Sequence, residues 1–164
     1  MRRSAQFVCD EVSRLITNDA KIKTVVNFGC SYGWLESELA KRFSNVAMWG
    51  IDRDLLSIQR NEEIFGRDNC HYIASEIFDF IENNSDKIKD SIFTHVNIGT
   101  YFVPAFLKKL YKAVYSAGGR YIVIFEPCGL SRQLNKYYEF SYEPRDSVVY
   151  RGPMIIHNYP NLLG

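Results

Sequence analysis

The chain has 164 residues, close to the size of one domain, and 46% of them are hydrophobic, enough to bury one substantial core. Lys and Arg number 20 against 19 Asp and Glu, so no net field selects nucleic acid or an anionic membrane as a partner. No apolar run approaches the roughly 20 residues that cross a bilayer, and the polar stretch after Met1-Arg2-Arg3 lacks the apolar centre of a signal peptide. A cytoplasmic protein of one domain, 1–164, is therefore expected.

In chain order, Val8, Val12, Leu15 and Ile16 recur at helical spacing, which predicts an amphipathic helix within residues 1–20. Short apolar runs follow at Lys23 to Phe28, Val46 to Ile51, His71 to Ala74, Phe93 to Ile98 and Tyr121 to Phe125, separated by segments of helical period. Two of these runs, Thr24-Val25-Val26 and Tyr121 to Phe125, are apolar on both alternating faces, as in parallel strands covered on each side. The expected fold class is α/β, a doubly wound, mostly parallel sheet of at least five strands with helices on both faces. The core is expected over 21–127.

Between the first two strands, Leu35, Leu39 and Phe43 form the stripe that packs on the sheet, and Glu36, Glu38 and Lys41 are placed on the water side. Leu55, Ile58, Glu62 and Phe65 predict a second helix, with Asp54 as its N-cap. Pro104 opens a later helix carrying Phe106, Leu107, Leu110 and Val114, which stops at Gly118-Gly119. After Pro127 periodicity fails, and 128–164 reads as a variable tail with a helix over Leu130 to Tyr138 and a short strand over Ser147 to Tyr150. Cys9, Cys30, Cys70 and Cys128 are scattered without a C-x-x-C pair, so they read as packed thiols, with no metal site or redox motif.

The chemistry concentrates at Val25-Val26-Asn27-Phe28-Gly29-Cys30-Ser31-Tyr32-Gly33-Trp34-Leu35, a strand, a glycine-punctuated turn and a helix start. Glycines let the backbone approach a ligand closely, and the helix start presents unpaired N–H groups. Asp52 follows Gly33 by 19 residues at the end of the second strand, where a carboxylate accepts from both hydroxyls of a ribose. The dinucleotide pattern G-x-G-x-x-G fits poorly, because Ser31 takes its second glycine and the bulky Trp34 its third.

The loop resembles motif I of the class I S-adenosylmethionine-dependent methyltransferases, acid-x-G-x-G-x-G before a helix, with Gly29 and Gly33 as its outer glycines. The resemblance extends over about two thirds of the chain. It continues through Gly50-Ile51-Asp52, Ile73-Ala74-Ser75-Glu76-Ile77, Phe93 to Gly99 and Ala117-Gly118-Gly119. It implies the strand order 3-2-1-4-5 and S-adenosylmethionine as cofactor. The residues it implies around the cofactor are Asn27, Gly29, Cys30, Ser31, Gly33, Asp52, Arg53, Glu76, Ile77 and Asn97, with Glu76 accepting from the adenine amino group. Three positions depart from the pattern: Asn27 stands for the usual acid, Ser31 for the central glycine and Thr94 for a frequent aspartate.

Methyl transfer from a sulfonium needs orientation and exclusion of water more than catalytic side chains. An acceptor that must lose a proton needs a general base, for which Glu126 and His157 are the candidates and His95, inside an apolar strand, a weaker one. The Asn/Asp-Pro-Pro-aromatic signature of amino-methylating nucleic-acid enzymes is absent from 97–101, and the late tyrosines suit an aromatic pocket for a small-molecule acceptor. Three readings remain open: methyl transfer to a small molecule, a methyltransferase-like interaction domain weak or inactive in catalysis, and a nucleotide-dependent oxidoreductase. Only 37 residues follow Pro127, fewer than the family's closing sixth and seventh strands require. Two alternatives are expected: a fragment with incomplete C-terminal strands, whose fifth-strand edge is covered by the tail or by a homodimer partner, or a reduced domain.

Overall fold

The computed structural model describes residues 2–126, 147–151 and 154–157, with side chains described over 6–126. The elements run α1 (Arg2–Asn18), β1 (Thr24–Phe28), α2 (Trp34–Arg42), β2 (Ala47–Asp52), α3 (Leu55–Phe65), β3 (Cys70–Ala74), α4 (Ile77–Asn83) and α5 (Ser85–Ile88). They continue through β4 (Ser91–Val96), a 3-10 turn at Gly99–Tyr101, α6 (Pro104–Ser116), β5 (Tyr121–Phe125), β6 (Ser147–Arg151) and β7 (Met154–His157). The expected helix over 130–138 lies outside the described residues, whereas the short strand near 147 is present as β6.

The chain divides into two compact units, residues 1–96 with 113–125 and residues 97–112 with 126–164. In the first, β3-β2-β1-β4-β5 form a five-stranded, all-parallel sheet. The α/β class and the 3-2-1-4-5 order are those anticipated. In register, Asn27 lies beside Gly50 on one side and Thr94 on the other, so the end of β1 is central in the sheet. Every β1 residue is buried. Val25, Met48, Cys70 and Ile92 from the strands share one core with Val8, Val12, Leu35, Leu39 and Ile58 of α1, α2 and α3. The alternate residues Val26, Ile51 and Phe93, equally buried, point to the opposite face. The second unit contains the β6–β7 antiparallel pair, which forms a sheet of its own.

Three sequence expectations change on this frame. Glu36, assigned to the water side of α2, is only 2% exposed, because it finds a hydrogen-bonding partner inside the sheet. On α3 the buried positions are Ile58 and Asn61, while Leu55 and Leu56 are exposed, because Asn61 reaches a loop carbonyl that periodicity does not register. The fourth strand runs from Ser91 to Val96 and not from Phe93 to Ile98. Asn97 leaves the ladder with φ +56°, and the polar Ser91, Thr94 and His95 are all fully buried inside it. The last turn of α6 closes as expected, with Gly119 N–H donating to Val114 O at 2.9 Å.

Candidate functional site

The loop between β1 and α2 is shaped by three left-handed residues, Gly29 (φ +73°), Ser31 (φ +47°) and Gly33 (φ +64°). Gly33 is the N-cap position of α2, and the turn is closed by its N–H, which donates to Cys30 O at 3.0 Å. A side chain cannot be added there. A Cβ on Gly33 would lie 2.7 Å from the Tyr72 ring and 2.8 Å from Asn61, and one on Gly50 would lie 2.6 Å from Tyr72. The glycines are thus required by what packs behind the loop as well as by its backbone angles.

Neighbouring elements hold the loop in place. Gly29 N–H and Cys30 N–H both donate to Ile51 O, at 2.7 and 3.1 Å. Asn61 of α3, 3% exposed, donates through Nδ2 to Ser31 O at 2.6 Å. The Tyr72 hydroxyl of β3 donates to Gly33 O at 2.7 Å. Asp52, at the end of β2, accepts Ser31 N–H on Oδ2 (3.0 Å) and Asp54 N–H on Oδ1 (3.1 Å). The backbone of Ser75 then donates to Asp52 O at 3.0 Å, so the ends of β1, β2 and β3 are tied into one edge.

Beneath the loop Asn27 and Glu36 meet. Asn27, 4% exposed, donates through Nδ2 to Glu36 Oε1 at 2.5 Å. Asn27 Oδ1 and Glu36 Oε2 are buried with no hydrogen-bond partner among the described residues. Burial pushes the Glu36 carboxyl up to about 7, against the opposing pull of the Asn27 amide and its own backbone N–H, with Asp52 adding to the rise. Burial likewise pushes the Cys30 thiol and the Tyr72 hydroxyl well above their ordinary ranges, so both stay protonated.

Among the residues expected at the site, the structure brings Asn27, Gly29, Cys30, Ser31, Gly33 and Asp52 together. Arg53 is exposed beside Asp52. Glu76 is exposed at the N-cap of α4, and Ile77 turns its side chain into the core at 1% exposure. Asn97 and Glu126 belong to the second unit. There Glu126 Oε1 accepts the N–H groups of Ile98 and Gly99, both at 2.8 Å, and so supports the 3-10 turn. His95 is wholly buried in β4. His157 lies on β7, and its side chain, like the late tyrosines and Cys128, is outside the described residues. Asn61 and Tyr72, absent from the sequence reading, and Glu36, read there as facing water, turn out to build the loop. The available signal was a polar group within each element, Glu36 in the first turn of α2, Asn61 inside α3 and Tyr72 in the middle of β3, but nothing local marks it as inward.

No protein-family model matches the sequence, and a search of curated proteins finds no match. Solved structures do match. The magnesium protoporphyrin IX methyltransferase of Synechocystis, solved with bound S-adenosylhomocysteine, superposes with a TM-score of 0.63 at 14% identity. The match covers 97% of this chain and 70% of that one.

The fold is that of the class I S-adenosylmethionine-dependent methyltransferases.

A methyltransferase from Archaeoglobus fulgidus matches with a TM-score of 0.60 and 22% identity over 83% of this chain and 59% of its own. An O-methyltransferase of a Brevibacillus brevis polyketide multienzyme, in complex with S-adenosylhomocysteine, matches at 0.55 and 11% over 84% of this chain and 42% of its own. This methyltransferase-like chain therefore spans little more than half of the second neighbour and less than half of the third. Among the described residues, no helix is long and apolar enough to cross a membrane, and no group of three or more His, Cys, Asp or Glu comes together.

Proposed function

We propose that this chain binds S-adenosylmethionine at the 29–33 loop and transfers its methyl group to a small-molecule acceptor. The observation that carries the reading is the Ser31 N–H to Asp52 carboxylate bond, which sets a left-handed glycine loop and an acid side by side at the ends of adjacent parallel strands. Ligands of open α/β sheets collect at that edge. The residues fit the cofactor: each Asp52 oxygen holds one backbone N–H and keeps acceptor capacity for a ribose hydroxyl. Beneath the loop, Asn27 Oδ1 and Glu36 Oε2 are buried without a partner among the described residues. Gly29, Cys30, Ser31 and Gly33 would receive the methionine end, Asp52 the ribose with Arg53 beside it, and Glu76 and Ile77 the adenine side. Asn97 is assigned by resemblance alone.

Bound there, the cofactor supplies a methyl group on a sulfonium, an already activated leaving group. The chain's part is to orient and to exclude water. We assign the exclusion of water to Tyr32, exposed at the loop tip, and to Trp34, which packs against the core. For an acceptor that loses a proton, Glu126 and His157 are the proposed bases. The neighbours named above include a porphyrin enzyme and a polyketide enzyme, which favours a small molecule over a polymer. Among the described residues β5 is an edge of the sheet, and we extend the proposal to a homodimer through that edge and to a cytoplasmic location. Light scattering at monomer mass over a tenfold concentration range would refute the dimer.

Calorimetric titration with S-adenosylhomocysteine tests the main reading. A saturable isotherm for the wild type that Asp52→Asn weakens supports it. Absence of binding to a folded wild type would leave an interaction domain, and binding of a nicotinamide dinucleotide instead would return the oxidoreductase reading that Trp34 opposes.

A further inference from the structure

Asn27 and Glu36 flank the loop in sequence, the first two residues before Gly29 and the second three residues after Gly33, and they meet beneath it in one 2.5 Å hydrogen bond. That bond uses one polar atom of each side chain. The other atom of each, Asn27 Oδ1 and Glu36 Oε2, is buried and partnerless among the described residues, a costly arrangement if both are acceptors. A carboxylate oxygen has no proton to offer an amide oxygen. A neutral carboxyl does: Oε2–H then donates to Asn27 Oδ1, and a ring of two hydrogen bonds satisfies all four atoms. Burial, which pushes the Glu36 carboxyl up to about 7, acts in the same direction.

The groups whose charge acts on Glu36 are Asp52 at the end of β2, Cys30 in the loop, and Cys70 and Tyr72 on β3. None of the four is a cation, and the three neutral ones are held protonated by burial. Negative charge on Glu36 therefore lacks a positive counterpart from these residues, and a cation lying in the loop would supply one.

We propose that Glu36 is a positioning residue that shares one proton with the Asn27 amide while the loop holds no ligand, and releases that proton to solvent when a cationic ligand occupies the loop. The assignment rests on the cofactor reading above. It makes the site sensitive to ligand charge: S-adenosylmethionine carries a sulfonium that S-adenosylhomocysteine lacks, so Glu36 in its ionised form favours the first over the second. The proton lost by Glu36 on binding is regained when the cation leaves.

Calorimetry of S-adenosylmethionine at pH 7, in buffers of different ionisation enthalpy, is expected to show release of roughly half a proton per site, since a group that titrates near 7 is half ionised there. Binding is expected to be roughly tenfold tighter at pH 8 than at pH 6. S-adenosylhomocysteine should show a smaller release and a shallower slope. Glu36→Gln keeps both hydrogen bonds to Asn27 and cannot ionise, so it should abolish the Glu36 share of both effects, and subtracting its profile removes the titration of the ligand's own amine. Equal proton release and equal pH slope in wild type and Glu36→Gln, or in the two ligands, would overturn the assignment. The wild-type buffer series stands without the variant.

A wild type that binds neither ligand overturns the cofactor reading and the ligand-driven release together. The shared proton is read independently, from unfolding without ligand: the wild-type midpoint should fall relative to Glu36→Gln as pH rises from 5 to 8. Parallel curves would overturn that half as well.

Discussion

Gly33 meets two constraints at one atom. Its backbone is left-handed, and the space a Cβ would fill is already taken by the Tyr72 ring and the Asn61 side chain. Gly33→Ala is therefore expected to destabilise the fold by about 2 to 4 kcal/mol, combining left-handed strain with overpacking, as read from urea unfolding. Asp52 has a different role, because its carboxylate holds the loop and faces the proposed ribose. For Asp52→Asn we expect S-adenosylhomocysteine binding to weaken roughly tenfold to a hundredfold, the value of hydrogen bonds to a charged acceptor, with a much smaller change in stability. Glu36 adds a pH dependence. Its carboxyl lies above the ordinary 4.5, at about 7, so the stabilisation from its neutral form is complete below that ordinary value and is lost as pH rises through 7. The swing is on the order of 3 kcal/mol for one fully buried group.

At the level of elements, most strands and helices were legible because each carries its own period. β5 falls where its apolar run predicts, and Asp54 caps α3 by accepting Leu56 N–H at 3.1 Å. The fourth strand was misplaced by two residues because Ser91 is polar yet wholly buried, and because Asn97 turns left-handed where the run still reads as apolar. The connection between α2 and β2 depends on one side chain with no sequence signature. Asn69 Nδ2 lies within hydrogen-bond reach of Ala40 O (3.1 Å), Phe43 O (2.9 Å) and Val46 O (3.3 Å). Asn69→Ala should cost about 1 to 2 kcal/mol by leaving these carbonyls short of a donor. Asn69→Asp should cost more, since a carboxylate would face three acceptors. Denaturant midpoints of the two variants rank them.

For the whole molecule, the 3-2-1-4-5 order places β1 in the middle of the sheet and its C-terminal end at the reversal of direction between β1 and β4. A ligand of the folded state alone stabilises it by mass action, by about 2.7 kcal/mol at a hundredfold excess over Kd. S-adenosylhomocysteine at that excess is expected to raise the thermal midpoint of the whole chain, and an unchanged midpoint would count against the cofactor reading.

The sequence by itself determined the alternation of strands and helices, the glycine loop and the acid that follows it, because these depend on backbone angles and on periodicity within a few neighbours. Tertiary structure alone decided what stands behind the loop. Glu36 meets Asn27 nine residues away, Asn61 reaches Ser31 across 30, and Tyr72 reaches Gly33 across 39. Each of these three side chains is turned inward onto a partner, as most buried polar groups are. On α2 that partner outweighed the helical stripe, and it placed a protonatable carboxyl under the loop where periodicity places water.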